Sequence, residues 1–115
     1  MRFIGIKRTF STLNEQQYET IGAFWDEMSM LYGMENLVGL GFGWTENTID
    51  YAMALKDGII PNADFETELP DEWTVVEGRT EKLGELYDEI YKSGRLLYEL
   101  EEFDERGNCR IRYCR

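Results

Sequence analysis

The residues best placed for chemistry lie near the C-terminal end. Tyr98-Glu99-Leu100-Glu101-Glu102-Phe103-Asp104-Glu105 is the most acidic strand candidate, and Cys109-Arg110-Ile111-Arg112-Tyr113-Cys114 is its natural hairpin partner. Turn length decides which side chains meet. A two-residue turn at Arg106-Gly107 sets Glu101 against Arg112 and Phe103 against Arg110, and both faces come out mixed. A three-residue turn at Arg106-Gly107-Asn108 sorts them: Glu102 meets Arg112 and Asp104 meets Arg110 on one face, while Glu101 meets Tyr113 and Phe103 meets Ile111 on the other. Cross-strand charge and apolar pairs favour the sorted register, which is the one predicted. Glu101 is then a carboxylate isolated among aromatic and aliphatic groups. Burying it unpaired costs several kcal/mol. A tyrosine donor, a raised pKa or a cationic ligand can offset that cost, and flanking rings add cation–π attraction. Composition alone favours the alternative, that Glu101 is one more solvated acid on an acidic surface.

Other chemistries are thin. The 115 residues contain no histidine, so the commonest metal ligand and the usual general base are missing. Cys109 and Cys114 are the only cysteines; within one strand their Cα atoms lie about 17 Å apart, too far for a disulfide. Neither has an activating histidine, and they diverge too much to share a metal, so no metal or cofactor is expected. Twelve Lys and Arg against 23 Asp and Glu leave a net charge of −11, a field that repels phosphate backbones and anionic membranes and attracts cations. The apolar start is too short for a signal peptide or a membrane span. Together with reduced thiols this points to the cytoplasm.

The elements that must position Glu101 follow from periodicity. Residues 2–10 read as a strand. Asn14 and Gln17 make a capping box for a helix with Tyr18, Ile21, Trp25, Met28 and Tyr32 on one stripe, and Gly33 stops it. Strands follow at 37–44 and 49–56, then a connector with Pro61, Pro70 and a possible short strand at 64–68. A strand at 73–78, a helix from Thr80 as N-cap to Ser93-Gly94, and the hairpin complete the chain. Gly39, Gly41 and Gly43 alternate and so share one strand face, a bare strip that suits close approach of a ligand or a helix. Their spacing is not G-x-G-x-x-G and a strand follows, which excludes a dinucleotide turn.

The order is β-α-β-β twice. Ile21-Gly22-Ala23-Phe24-Trp25-Asp26-Glu27-Met28 aligns with Leu83-Gly84-Glu85-Leu86-Tyr87-Asp88-Glu89-Ile90 at an offset of 62, since 83 − 21 = 62. The same offset places Ile49 on Ile111 and Tyr51 on Tyr113. These matches predict pseudo-repeats at 1–57 and 63–115 within one domain, 1–115. The expected fold is α+β: duplicated β-α-β-β units forming one antiparallel sheet, two helices on one face and a ligand pocket on the other. Trp25 and Tyr87, on the repeated helix stripe, are expected to be core.

The ordered set RFIGIKRTFS, IGAFWDEM, LVGLGFGW, IDYAMALKDG, LPDEWTVVEG, YELEEFDERG and CRIRYC resembles the GyrI-like small-molecule-binding domain, the effector-binding domain of AraC-type and MerR-type multidrug regulators, over essentially the whole chain. The resemblance implies that Glu101, in Glu101-Glu102-Phe103, pairs with a lipophilic cation at the floor of a pocket. It also implies that Trp73, Tyr51, Phe103 and Tyr113 are aromatic walls, with Phe42 (and Trp44) weaker candidates. With no helix-turn-helix in the sequence, a stand-alone sensor or sequestering protein is expected, whose partner is an amphipathic, cationic small molecule, with no direct nucleic acid or membrane contact. Two alternatives stay open: a hydrolase opening cyclopropane rings of DNA-alkylating natural products, with Glu101 as its acid or base, and a gyrase-type protein inhibitor exploiting the acidic surface.

Overall fold

A computed structural model describes residues 1–115. Seven strands, β1 (Arg2–Ser11), β2 (Leu37–Phe42), β3 (Thr48–Leu55), β4 (Phe65–Glu68), β5 (Thr74–Arg79), β6 (Tyr98–Phe103) and β7 (Asn108–Cys114), make one sheet in the order β4-β1-β3-β2-β6-β7-β5. Every pairing is antiparallel. Helices α1 (Gln16–Tyr32) and α2 (Leu83–Tyr91) cover the same face. From the central β2–β6 seam the two sides read alike, β2-β3-β1 one way and β6-β7-β5 the other.

Alternation along the strands produces two packed layers. Toward the helices, Leu37, Tyr51 and Met53 meet Phe24, Trp25 and Met28 of α1, while Ile111 meets Tyr87 and Ile90 of α2. Away from them, Phe3, Leu40, Ala52, Ala54, Leu69 and Leu100 form a second buried cluster. The connection between the outermost strands explains how a sheet face without helices becomes buried. Glu68 and Thr74 are six residue steps apart, a reach of at most ~22 Å. The edges of a flat seven-stranded sheet would stand ~29 Å apart. The sheet therefore curls around its second face, and the Leu69–Trp73 strap closes the open side. The strap is pinned where the Trp73 indole donates to the Pro70 carbonyl (2.8 Å) and the Leu69 amide to the Met1 carbonyl (2.7 Å). That face, expected to hold the ligand pocket, is filled by side chains, with Phe42 stacked on Phe65 at 5.1 Å.

Both expected helix caps are replaced. Asn14 and Glu15 adopt left-handed φ of 54° and 58°, so α1 begins at Gln16 without a side-chain cap. Asn14 is out of the capping position, and the Gln17 Oε1 is buried without a partner. Thr80 opens a 3-10 turn, Thr80–Lys82, before α2, its amide tied to the Gly107 carbonyl at 2.8 Å. Its hydroxyl caps nothing. Gly33 does stop α1, at φ 85°, donating to the Ser29 carbonyl. Helix α2 ends at Tyr91, ahead of the expected Ser93-Gly94 stop.

The β6–β7 hairpin has a three-residue turn, Glu105-Arg106-Gly107, one residue earlier than predicted. The carboxylate of Asp104 organises it, accepting from the Arg106 and Asn108 amides (2.9 Å each) and from the Asn108 side chain (3.1 Å), with Gly107 at φ 81°. Pairing shifts by two residues: Glu101 faces Ile111 rather than Tyr113, Glu99 faces Tyr113, Phe103 faces Cys109 and Glu102 faces Arg110 rather than Arg112. Asp104 serves the turn instead of pairing with Arg110. A two-residue shift preserves the pleat, so every side chain keeps its predicted face.

Candidate functional site

Glu101 projects from β6 toward the helices, flanked in register by Gly39 of β2 and Ile111 of β7, and is 7% exposed. Both carboxylate oxygens are engaged. The Tyr51 hydroxyl of β3 donates to Oε1 and the Tyr87 hydroxyl of α2 donates to Oε2, each at 2.5 Å. The Trp25 indole of α1 donates to the Tyr51 hydroxyl at 2.8 Å. Distances of 2.5 Å are those of charge-assisted O–H···O⁻ bonds. Glycine 39 makes this convergence possible, because a Cβ there would overlap the Tyr51 hydroxyl and crowd the Trp25 ring. Phe103 closes the side, its ring edge-on to Trp25 at 5.0 Å.

A second buried carboxylate stands beside the first. Glu99, two residues along the same face and 5% exposed, takes the Tyr91 hydroxyl on Oε2 at 2.9 Å, while its Oε1 accepts no hydrogen bond from the protein. It leans over Gly41, where a Cβ would strike its side chain. Tyr91 stacks on Tyr87 with centroids 5.5 Å apart. No lysine or arginine forms an ion pair with either acid; the carboxylate that collects cations is Glu102 on the opposite face, near Lys56, Arg110 and Arg112 at 3.3–3.8 Å.

Burial raises the pKa of both acids. For Glu99, burial and then the charge of Glu101 push it up to about 8, opposed by the Tyr91 hydroxyl. For Glu101, burial raises it against two phenol donors that favour the carboxylate. The two acids share one buried site, so ionisation of one opposes ionisation of the other and the pair holds a proton at neutral pH. Tyr51, Tyr87 and Tyr91 are pushed up by burial and by these acids. Tyr18 of α1 is pushed up by burial and by Glu15, Glu99 and Asp88, yet is 64% exposed.

The predicted site residues divide between the two faces. Glu101, Tyr51 and Phe103 come together under the helices, and Tyr113 shares their face opposite Glu99, with the Arg115 guanidinium over its ring at 5.0 Å. Phe42 and Trp73 lie on the curled face, each near Tyr98, at 6.3 and 6.5 Å; Trp44 packs with the α2 cluster. Trp25 and Tyr87 are core, as expected, and are also polar partners in the Glu101 network, a role that periodicity does not disclose. Glu99 and Tyr91 were missed, although Glu99 has the same strand parity as Glu101.

Two open hollows of about 570 Å³ lie elsewhere, one at the hairpin turn among Lys56, Glu77, Arg79, Glu102 and Arg110, the other on the outer side of α2. No three His, Cys, Asp or Glu side chains are grouped to hold a metal ion. Both cysteines are free, and no helix is long and apolar enough to cross a membrane. Compared with known proteins, the chain matches no family model, no curated protein and no solved structure.

Proposed function

We propose that this chain binds a lipophilic organic cation, acting as a sensor or sequestering protein, with the buried Glu99–Glu101 pair on the helix-covered face as the counter-charge. One observation carries the reading: two adjacent carboxylates are buried among aromatic side chains without any cation of the protein's own. Leaving acids in such a place costs several kcal/mol that hydrophobic replacements would not, and an arriving cation recovers much of it. The likeness of the sequence to GyrI-like domains agrees with this reading. So does a duplicated origin of the two halves: Gly39 and Glu101, 62 residues apart, are register partners, which puts an approximate two-fold axis between them. The test is titration of a fluorescent lipophilic cation against the wild type and the double variant Glu99→Gln/Glu101→Gln. A loss of at least tenfold in affinity is expected; equal affinities would remove the carboxylate pair from the account.

A second reading rests on the raised pKa of Glu99, about 8. A buried pair of carboxyl groups that holds a proton at neutral pH is suited to general acid–base work, as the cyclopropane-opening hydrolase alternative requires. Incubation with such compounds, followed by mass spectrometry for the ring-opened product, separates turnover from binding alone.

A further inference from the structure

Resting on the cation-binding reading, we propose that Glu99, rather than Glu101, receives the ligand's positive charge, and that each cation bound there expels one proton from the carboxylate pair to solvent. Three features of the geometry lead to this assignment. First, Glu101 is closed: both oxygens are taken by Tyr51 and Tyr87, and Tyr51 is itself held by Trp25. Second, Glu99 is 95% buried yet has an oxygen, Oε1, with no protein donor. Third, the Tyr91 ring, whose hydroxyl donates to Glu99, and the Tyr18 ring, whose phenol feels its charge, are accessible. Tyr18 of α1 is 64% exposed and Tyr91 of α2 is 40% exposed, whereas Tyr51 and Tyr87 are buried. Exposed ring faces flanking an under-coordinated buried acid suit a cation with an apolar body.

The proton balance follows from the groups facing Glu99. These are Glu101 on β6, Tyr51 on β3, Tyr113 on β7, Tyr87 and Tyr91 on α2, and Tyr18 on α1, which itself feels the charges of Glu15 and Asp88. None is cationic. The guanidinium of Arg115 lies over Tyr113, the register partner of Glu99, and donates to the Ile90 carbonyl at 2.6 Å. With two carboxyl groups buried side by side, a second negative charge is suppressed until a positive charge arrives; the carboxyl O–H of Glu99 then breaks, its proton passes to water, and carboxylate and ligand form the pair. The resting and bound sites have the same net charge.

Tetraphenylphosphonium, which cannot titrate, tests this by calorimetry in buffers of differing ionisation enthalpy. The wild type is expected to release close to one proton per cation at pH 7, and its affinity to rise close to tenfold per pH unit from pH 5.5 to 7.5. Glu99→Gln is expected to bind at least tenfold more weakly at pH 8, with no release and a flat pH profile. Tyr18→Ala, at an exposed position, is expected to lose several-fold in affinity while still releasing the proton. Binding by the wild type with no proton release, or by Glu99→Gln as tightly as the wild type, overturns the assignment and leaves the cation-binding reading standing. Absence of binding by the wild type overturns both.

Discussion

Gly39 and Glu101 face each other across the central seam of the sheet, and the side chain that Gly39 lacks is replaced by the Tyr51 hydroxyl bound to Glu101. The bare strip noted in the sequence is thus occupied from within: Tyr51 and Trp25 lie over Gly39, and Glu99 over Gly41.

Gly39→Ala should therefore destabilise the fold by about 1–3 kcal/mol, as overpacking of a tight core does, and should disrupt the Tyr51–Glu101 bond. Gly22→Ala is the control, since Gly22 lies within α1 with open space beside it; it should stabilise by about 0.5–1 kcal/mol. Urea denaturation of the two variants should give opposite signs.

Stability should fall as pH rises. The folded-state pKa of Glu99 is about 8 against an ordinary 4.5, so the folded chain holds a proton that the unfolded chain has released. That contribution is complete below about pH 4.5 and is lost as pH climbs through 8. Thermal melts from pH 5 to 8.5 should show a decline of about 3–5 kcal/mol, and Glu99→Gln should remove most of it. Parallel slopes for the two proteins would place the effect elsewhere.

On the opposite face, Glu102 is the shared counter-ion of Lys56, Arg110 and Arg112. Its side chain is 17% exposed and that of Arg112 21%, so removing the acid leaves neighbouring positive charges partly desolvated. Glu102→Gln should cost about 1–3 kcal/mol, and the deficit should shrink in high salt, measured by denaturation at two ionic strengths.

The thiols should react in sequence. Burial pushes both Cys109 and Cys114 up, but Cys109 is 4% exposed whereas Cys114 is only half-buried. A thiol reagent should label Cys114 first and Cys109 only on unfolding, and mild oxidation should produce no intramolecular disulfide.

Strands and helices were legible because alternation and a 3.6-residue stripe reflect burial directly. The face of Glu101 was legible too, because strand parity survives a two-residue error. What escaped was set by local polar groups that periodicity does not register. The Asp104 carboxylate gathers two amides and a side chain and so moves the turn; the left-handed Asn14–Glu15 step displaces the helix start. The polar network under the helices escaped because Tyr51, Trp25 and Tyr87 read as ordinary apolar stripe residues, while the Tyr51 and Tyr87 hydroxyls donate to Glu101 and the Trp25 indole to the Tyr51 hydroxyl. Nor does a linear sequence show that the strap from Leu69 to Trp73 is too short for a flat sheet.

That strap has a mechanical corollary. With its outermost strands tethered by five residues, the curved sheet is held at both edges, so parting them requires the strap to be pulled from Met1 and from its own Pro70–Trp73 turn. Of the two helices on its other face, α2 at nine residues is much shorter than α1 at seventeen.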